Sequence, residues 1–355
     1  PTRYPEFEVS GSPRELGRQL GDAAGEQVRG FCQLALESVN RTVRVTPELA
    51  EAVARDSLTF AEQYSPDMVE ELRGLAESSG VTLEQLMLLQ VRNQFVGGMD
   101  HACTAFSLHS QATTVGRAMV AQNWDNDPAM APLSTVITRK GHGKAAFTSW
   151  MQPGLVAYMG FSSYGIGICM NALNGPSDPK GLPWYFFVRA ILEAKTTAEA
   201  ISAVESAPRA LTANAAMITN EGPLNLEIMP ESVESITTDS DGVLVHTNHC
   251  VHPSYVSNND DFSDKIYGQS FQRRDRGKEL LNARLNQGKV SIDDAKLLLS
   301  DHDGFPTSIC RHPNDDPNTG WQRSVISIIL EPSDNRMHVT NGNPCENKYE
   351  TYNAG

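Results

Sequence analysis

The sequence predicts a layered α+β protein, and four layers (helices, sheet, sheet, helices) fit the pattern. Three observations carry this expectation. Residues 12 to about 96 read helical throughout. From Thr104 onward the texture changes abruptly to short strands bounded by Gly or Pro. The strands come in two batches, with helices between and outside them.

The elements follow in order. Phe7-Glu8-Val9-Ser10-Gly11 suits one short strand. Ser12-Pro13-Arg14-Glu15 starts a helix, with Ser as N-cap and Pro at the first helical position. That helix carries Leu16, Leu20, Val28, Phe31, Leu34 and Leu36, spaced mostly by three or four. Thr46-Pro47-Glu48-Leu49 and Ser65-Pro66-Asp67 open two more helices, and Gly80 ends the second of these. Thr82-Leu83-Glu84-Gln85 opens a fourth, and Gly97-Gly98 breaks the helical run. A hairpin over Thr104 to Ser110 and Arg117 to Trp124 turns near Gly116. Strands are expected at 134–139, 145–150, 155–161 and 165–170, then one helix over 183–205. Further strands are expected at 215–219, 224–229, 233–237 and 242–247. Residues 258–264 read as a surface loop, and 271–285 and 292–299 as helices. The segment 301–319 is a long Pro/Asn/Asp-rich loop, a type that often carries function. A hairpin of 324–330 and 336–340 closes the chain.

The 355 residues are 40% hydrophobic and 20% charged, enough apolar material for a sizeable core. A net charge of -14 with no basic cluster argues against nucleic acid or anionic membrane as a partner. No apolar run is long enough to span a bilayer. Six scattered cysteines without a C-x-x-C pair read as reduced thiols. The opening Pro1-Thr2-Arg3-Tyr4-Pro5 does not read as a signal peptide, so the expectation is a cytoplasmic protein.

The change of texture falls at His101-Ala102-Cys103-Thr104. A mid-chain cysteine is ordinarily a small apolar residue. Cys103, however, follows a small residue and begins a strand that would hold it on a rigid edge. Were the Ala102–Cys103 bond cut, the new α-amine, with a pKa of about 8, would be a built-in base for the thiol. The thiol could make the cut itself by attacking the Ala102 carbonyl, passing through a thioester that water releases.

His101-Ala102-Cys103-Thr104, Gln122-Asn123-Trp124-Asp125 and His246-Thr247-Asn248-His249-Cys250 together resemble the acyl-CoA:6-aminopenicillanic acid acyltransferase family. The early run Gly11 to Gly21 and the late Gly342-Asn343-Pro344-Cys345 are similar to that family too. The resemblance implies a self-cleaving N-terminal nucleophile hydrolase with an αββα fold. It divides the chain into a helical segment 1–102 and a nucleophile-bearing segment 103–355, which stay associated as one domain. It implies that Cys103 is the nucleophile and that Asn248 is the oxyanion donor, a job worth roughly 3–4 kcal/mol per donor. It also implies that Asp125 pairs with an arginine. Arg311, in Ser308-Ile309-Cys310-Arg311, is favoured for that arginine, and Arg323 is the rival. Ala102 stands where the penicillin enzyme has Gly.

Thr104, Trp124, Tyr158 and Phe161 are candidates for an acyl pocket, with sheet core as the alternative reading of the aromatics. His246, His249 and His252 surround Cys250, and Cys310-Arg311-His312 lies in the long loop. Neither stretch meets a standard zinc spacing, so no metal and no cofactor is expected. The expected activity is hydrolysis of an amide bond, or acyl transfer, through a Cys103 thioester, on a small-molecule amide or acyl donor. One alternative is an acyl-CoA-dependent N-acyltransferase. Another, of a different class, is an uncleaved, non-catalytic binding relative; a weaker third is a metallohydrolase using the histidines.

Overall fold

The computed structural model describes residues 2–40, 44–96, 102–263, 268–317 and 319–354. Gly97-Gly98, His101 and Asp264 lie outside them. The helices are α1 (Pro13–Val39), α2 (Pro47–Tyr64), α3 (Pro66–Ser79), α4 (Leu83–Val91), α5 (Asn93–Val96), α6 (Trp184–Glu193), α7 (Thr197–Glu205), α8 (Asn258–Asp261), α9 (Gly268–Leu285) and α10 (Ile292–Leu299). The strands are β1 (Glu6–Gly11), β2 (Ala102–Leu108), β3 (Met119–Asn126), β4 (Thr135–Gly141), β5 (Phe147–Met151), β6 (Met159–Ser162), β7 (Gly167–Ala172), β8 (Ala213–Thr219), β9 (Gly222–Ile228), β10 (Val233–Thr237), β11 (Val243–His246), β12 (Arg323–Glu331), β13 (Arg336–Val339) and β14 (Glu350–Asn353).

Among the described residues the strands form two sheets. One runs β1-β4-β5-β6-β7-β8-β9-β10; the other runs β11-β2-β3-β12-β13-β14. The sheets stack through β2 and β3 against β7 and β8. Helices α1 and α6 lie on the first sheet, and α9 and α10 on the second. The result is the expected α+β sandwich of four layers, αββα.

Local chemistry sets the helix starts. Thr46 accepts from the Leu49 N–H, Ser65 from Met68, and Thr82 forms a reciprocal capping box with Gln85. Gly80 ends α3 in the left-handed region, at φ 75°. Helices α1 and α3 cross closely because Gly17 and Gly74 carry no side chain. A Cβ on Gly17 would lie 1.9 Å from the Glu71 carbonyl oxygen, and one on Gly74 2.2 Å from that of Arg14. Under this crossing, Glu71 is buried between Arg139 (2.7 Å) and Arg189 (2.8 Å).

Three expectations need correction. The single helix over 183–205 is two, because Thr196 caps a new start by accepting from the Glu199 N–H. The surface loop beginning at Asn258 contains the short helix α8. The closing hairpin gains a third strand, β14, along β13. All six cysteines are free thiols. No helix among the described residues is long and apolar enough to cross a membrane.

Candidate active site

Cys103 is the second residue of β2, directly opposite Trp124 of β3. Opposed residues of an antiparallel pair share a face. Here that face is the space between the sheets, where Cys103 and Trp124 join the main core. Trp124 packs edge-on against Trp150 (5.4 Å between centroids) and Tyr158 (6.0 Å). Tyr158, just before β6, and Cys169, on β7, both bear electrostatically on the Cys103 thiol. Trp124 and Tyr158 thus wall the thiol. Phe161 also belongs to this core, but no described contact ties it to Cys103.

The next residue, Thr104, points the other way, as strand alternation requires. Its hydroxyl accepts from Arg273 of α9 at 2.9 Å. The Thr104 side chain therefore anchors a guanidinium behind the strand and stands on the face opposite the thiol.

Arg273 was not singled out from sequence, and it reaches furthest into the site. It is 3% exposed. Nη1 donates to the Cys103 carbonyl oxygen (2.6 Å), and Nη2 donates to Asn248 Oδ1 (2.8 Å). Asn248 Oδ1 also accepts from the Cys103 backbone N–H at 2.9 Å, while its Nδ2 donates to the Ala172 carbonyl at 2.9 Å. The Asn248 amide is thus oriented by three partners. Its oxygen faces the Cys103 backbone nitrogen, and one of its two N–H bonds goes to Ala172.

The loop carrying Asn248 is fixed from two sides. From α9, the Ser270 hydroxyl accepts the Asn248 N–H (2.9 Å) and meets His249 Nδ1 (2.8 Å). From β9, the buried Glu227 accepts from His246 Nε2 (2.7 Å), the Val251 N–H (2.6 Å) and the His252 N–H (3.0 Å). These bonds hold the Glu227 carboxyl below its usual range against the opposing effect of burial, the largest influence on it. Burial, helped by His246 and nearby arginines, holds His249 down to about 3, so its imidazole is neutral. His246, His249, His252 and Cys250 are therefore engaged with separate partners and do not converge on one point.

Asp125 lies across from Ala102 in the β2–β3 register. It is fully buried. Oδ1 accepts from the Ser324 hydroxyl (2.6 Å), and Ser324 Oγ in turn accepts the Arg311 backbone N–H (2.9 Å). Oδ2 is buried with no hydrogen-bond partner among the described residues. Burial pushes the Asp125 carboxyl up to about 6, and the charges of Arg311 and Arg273, with the Ser324 bond, pull the other way. Arg311 is buried and donates to Gln269 Oε1 (2.6 Å) and Thr319 Oγ1 (3.4 Å). Arg323, neighbour of Ser324 on β12, bears instead on Tyr4 and His312. Asp125 thus sits in the field of two buried guanidiniums, one of them the favoured Arg311.

Burial pushes the Cys103 thiol up to about 12, and the Asp125 charge adds to this. Arg273 and the backbone of Ala172 and Asp125 oppose it.

Comparison with known proteins places the chain in a family. The family model described as acyl-coenzyme A:6-aminopenicillanic acid acyl-transferase matches residues 112–346. The 40 kDa form of acyl-coenzyme A:6-aminopenicillanic-acid-acyltransferase from Emericella nidulans is 26% identical over 349 residues, covering 96% of this chain and 93% of that protein. Two solved structures align at 12% identity. A mutant conjugated bile acid hydrolase from Clostridium perfringens covers 71% of this chain and 97% of its own, with a TM-score of 0.48. Penicillin V acylase from Agrobacterium tumefaciens covers 67% and 82%, with a TM-score of 0.41. With about two thirds of its length matched by the family model, the chain belongs to the acyl-coenzyme A:6-aminopenicillanic acid acyltransferase family and is an enzyme.

Proposed function

We propose that the chain is made as one polypeptide, severs its own Ala102–Cys103 bond, and then acts as a cysteine N-terminal nucleophile enzyme. Segments 1–102 and 103–355 remain associated. Cys103 attacks an amide or thioester carbonyl, and the acyl group rests on sulfur as a thioester before passing to water. Cys103, Asn248, Asp125 and Arg311 carry the chemistry, with Arg273 positioning the first two.

The observation that carries the reading is the clamp on the Cys103 backbone. Asn248 Oδ1 takes its N–H and Arg273 takes its C=O. A residue serving only as core has no need of two buried side chains fixing its own peptide groups. Cleavage would turn that N–H into an amine already held beside the thiol. The amine would accept the thiol proton as sulfur attacks, return it to the leaving nitrogen, and then deprotonate the hydrolytic water. The second Asn248 N–H is the donor for the oxyanion. Association of the segments is supported by β1, which pairs along six residues of β4, and by Glu71 on Arg139 and Arg189.

Water is the acceptor in the favoured reading. Transfer to an amine from an acyl-CoA donor is the second reading, favoured by the similarity to the Emericella enzyme along nearly its whole length. Intact mass and amino-terminal sequencing of purified protein test the proposal. Fragments 1–102 and 103–355, with cysteine leading the second, are expected. A full-length chain after prolonged incubation overturns the proposal and leaves a binding relative. A screen of N-acyl amines and acyl-CoA donors then separates hydrolysis from transfer.

A further inference from the structure

Away from Cys103, four side chains from three places in the chain turn their donor atoms toward one point. His302 follows α10, Cys310 and His312 lie in the long loop, and Cys345 lies between β13 and β14. Cys310 Sγ is 3.5 Å from Cys345 Sγ and 3.6 Å from His312 Nε2. His312 Nε2 is 3.5 Å from Cys345 Sγ and 3.1 Å from His302 Nε2. All four atoms lie within 4.8 Å of one another. A zinc ion with Zn–S bonds of about 2.3 Å and Zn–N bonds of about 2.0–2.1 Å has tetrahedral edges of roughly 3.3–3.8 Å. Four of the six edges here fall within a few tenths of an ångström of that figure. The remaining two join His302 to the sulfurs. His302 is exposed, so its ring is free to close on them.

We propose that His302, Cys310, His312 and Cys345 form a closed Cys2His2 site for a structural zinc ion, revising the expectation of no metal drawn from spacing. Two thiolates and two imidazoles suit zinc and exclude magnesium or calcium as resident ions. The outer shell fits as well. The buried Asn343 donates to Cys310 Sγ (3.5 Å) and to the Arg311 carbonyl (2.7 Å), the kind of support that ligating sulfurs receive. Cys310 is buried while Cys345 and His302 are exposed, so the ion has a route in from solvent.

The site would matter through Arg311, which stands between two ligands. Its backbone N–H holds Ser324, which holds Asp125. A metal at this point ties the long loop to the chain beyond β13 and fixes the arginine that faces the buried carboxylate. Neither spacing nor sequence order reveals the cluster, because Cys345 joins it from 33 residues away.

The test uses the full chain, purified under reducing conditions and dialysed against equimolar zinc. One zinc per chain is expected, with X-ray absorption showing two sulfur neighbours at about 2.3 Å and two nitrogens at about 2.0–2.1 Å. Asn343→Ala is expected to weaken zinc binding about 10–100-fold. Cys345→Ser is expected to lose the ion, and Cys32→Ser, remote from the cluster, to keep it. Zinc well below one per chain, a metal shell without sulfur, or unchanged affinity in Cys345→Ser overturns the proposal. So does a Cys310–Cys345 disulfide that takes up no metal after reduction. None of these readouts depends on cleavage at Cys103.

Discussion

Replacing Arg273 with Gln removes the guanidinium that ties the nucleophile to its neighbours. Three contacts go with it: to the Cys103 carbonyl at 2.6 Å, to Thr104 Oγ1 at 2.9 Å and to Asn248 Oδ1 at 2.8 Å. A hydrogen bond to a charged group contributes about 1.5–3 kcal/mol, and Gln can restore one of the three, so a stability loss of about 3–6 kcal/mol is expected. Asn248 keeps its bonds to Ala172 and Ser270 but gains freedom to swing. Misplacement of that kind corresponds to about 10–100-fold in rate, or roughly 1.4–2.7 kcal/mol of barrier. The electrostatic effect has a definite sign. Arg273 lowers both the Asp125 carboxyl and the Cys103 thiol, so losing it raises both. Self-cleavage is the assay, because its substrate is known. Freshly translated chain is sampled over time and at a series of pH values on denaturing gels. Arg273→Gln should slow the appearance of fragment 103–355 and move the acid limb of the profile to higher pH. Arg273→Lys, which keeps the charge without the fork, should restore the limb but not the full rate. Wild-type speed with an unshifted limb in Arg273→Gln would refute the clamp.

Further outcomes follow from the same geometry. Cys103→Ala should stay full-length indefinitely, as read by intact mass. In that uncut background, Asp125→Asn isolates the cost of the buried carboxylate. The folded pKa of about 6 lies above the ordinary unfolded value, so the native chain holds the proton more tightly, and this group's contribution to stability falls as pH rises from about 4 to 6. The chain with Asp125 should lose about 3 kcal/mol relative to Asp125→Asn across that window, measured by urea unfolding at each pH. An equal pH slope in the two would remove the argument. Glu71→Gln leaves two buried guanidiniums without their counter-charge and should cost about 3–5 kcal/mol in thermal or urea unfolding. Because Arg139 and Arg189 lie beyond the proposed cut, it should also loosen segment 1–102 in size-exclusion chromatography of mature protein.

What the sequence revealed is what neighbouring residues decide. Thr46, Ser65 and Thr82 announce their helices because a cap needs only the next three residues. The hairpin of β2 and β3 shows itself through its turn at Gly116, whose φ is 66°. Arg273 stayed hidden because Gln272-Arg273-Arg274-Asp275-Arg276 reads as a solvated helix face. Only the docking of α9 on β2 and β11 makes one of its arginines interior. Glu227 misleads in the same manner. In Leu224-Asn225-Leu226-Glu227-Ile228 the polar set suggests a face toward water, and it faces the other sheet instead. Asn225 bonds Asn214, Asn214 bonds Asn171, and Asn171 reaches the His246 carbonyl at 3.4 Å. Next to the site, the space between the sheets is polar, and alternation alone cannot say which face is which. β14 is four residues long with a single buried side chain, Tyr352, so only its pairing with β13 defines it.

The state of the thiol explains why a new amino terminus would be useful. Burial pushes the Cys103 thiol up to about 12, so it stays protonated near neutrality. Arg273 and two backbone groups already act in favour of the anion and still lose to burial and to Asp125. A base must therefore take the proton as the bond forms. The histidines beside Asn248 cannot serve. His249, held down to about 3, is too weak a base, and His246 is committed to Glu227 and the Thr247 carbonyl. Asp125 carries the right charge, yet it raises the thiol, and one of its oxygens is taken by Ser324. The Cys103 nitrogen remains. As an amide it is no base; as an amine with an ordinary pKa of about 8 it is close to ideal near neutrality. Asn248 holds that nitrogen by its hydrogen, which leaves the lone pair of a future amine free to turn toward sulfur. The same buried setting that leaves the thiol a weak nucleophile in the intact chain, where it has one bond to cut and no amine to help it, would make repeated turnover depend on the amine that the cut supplies.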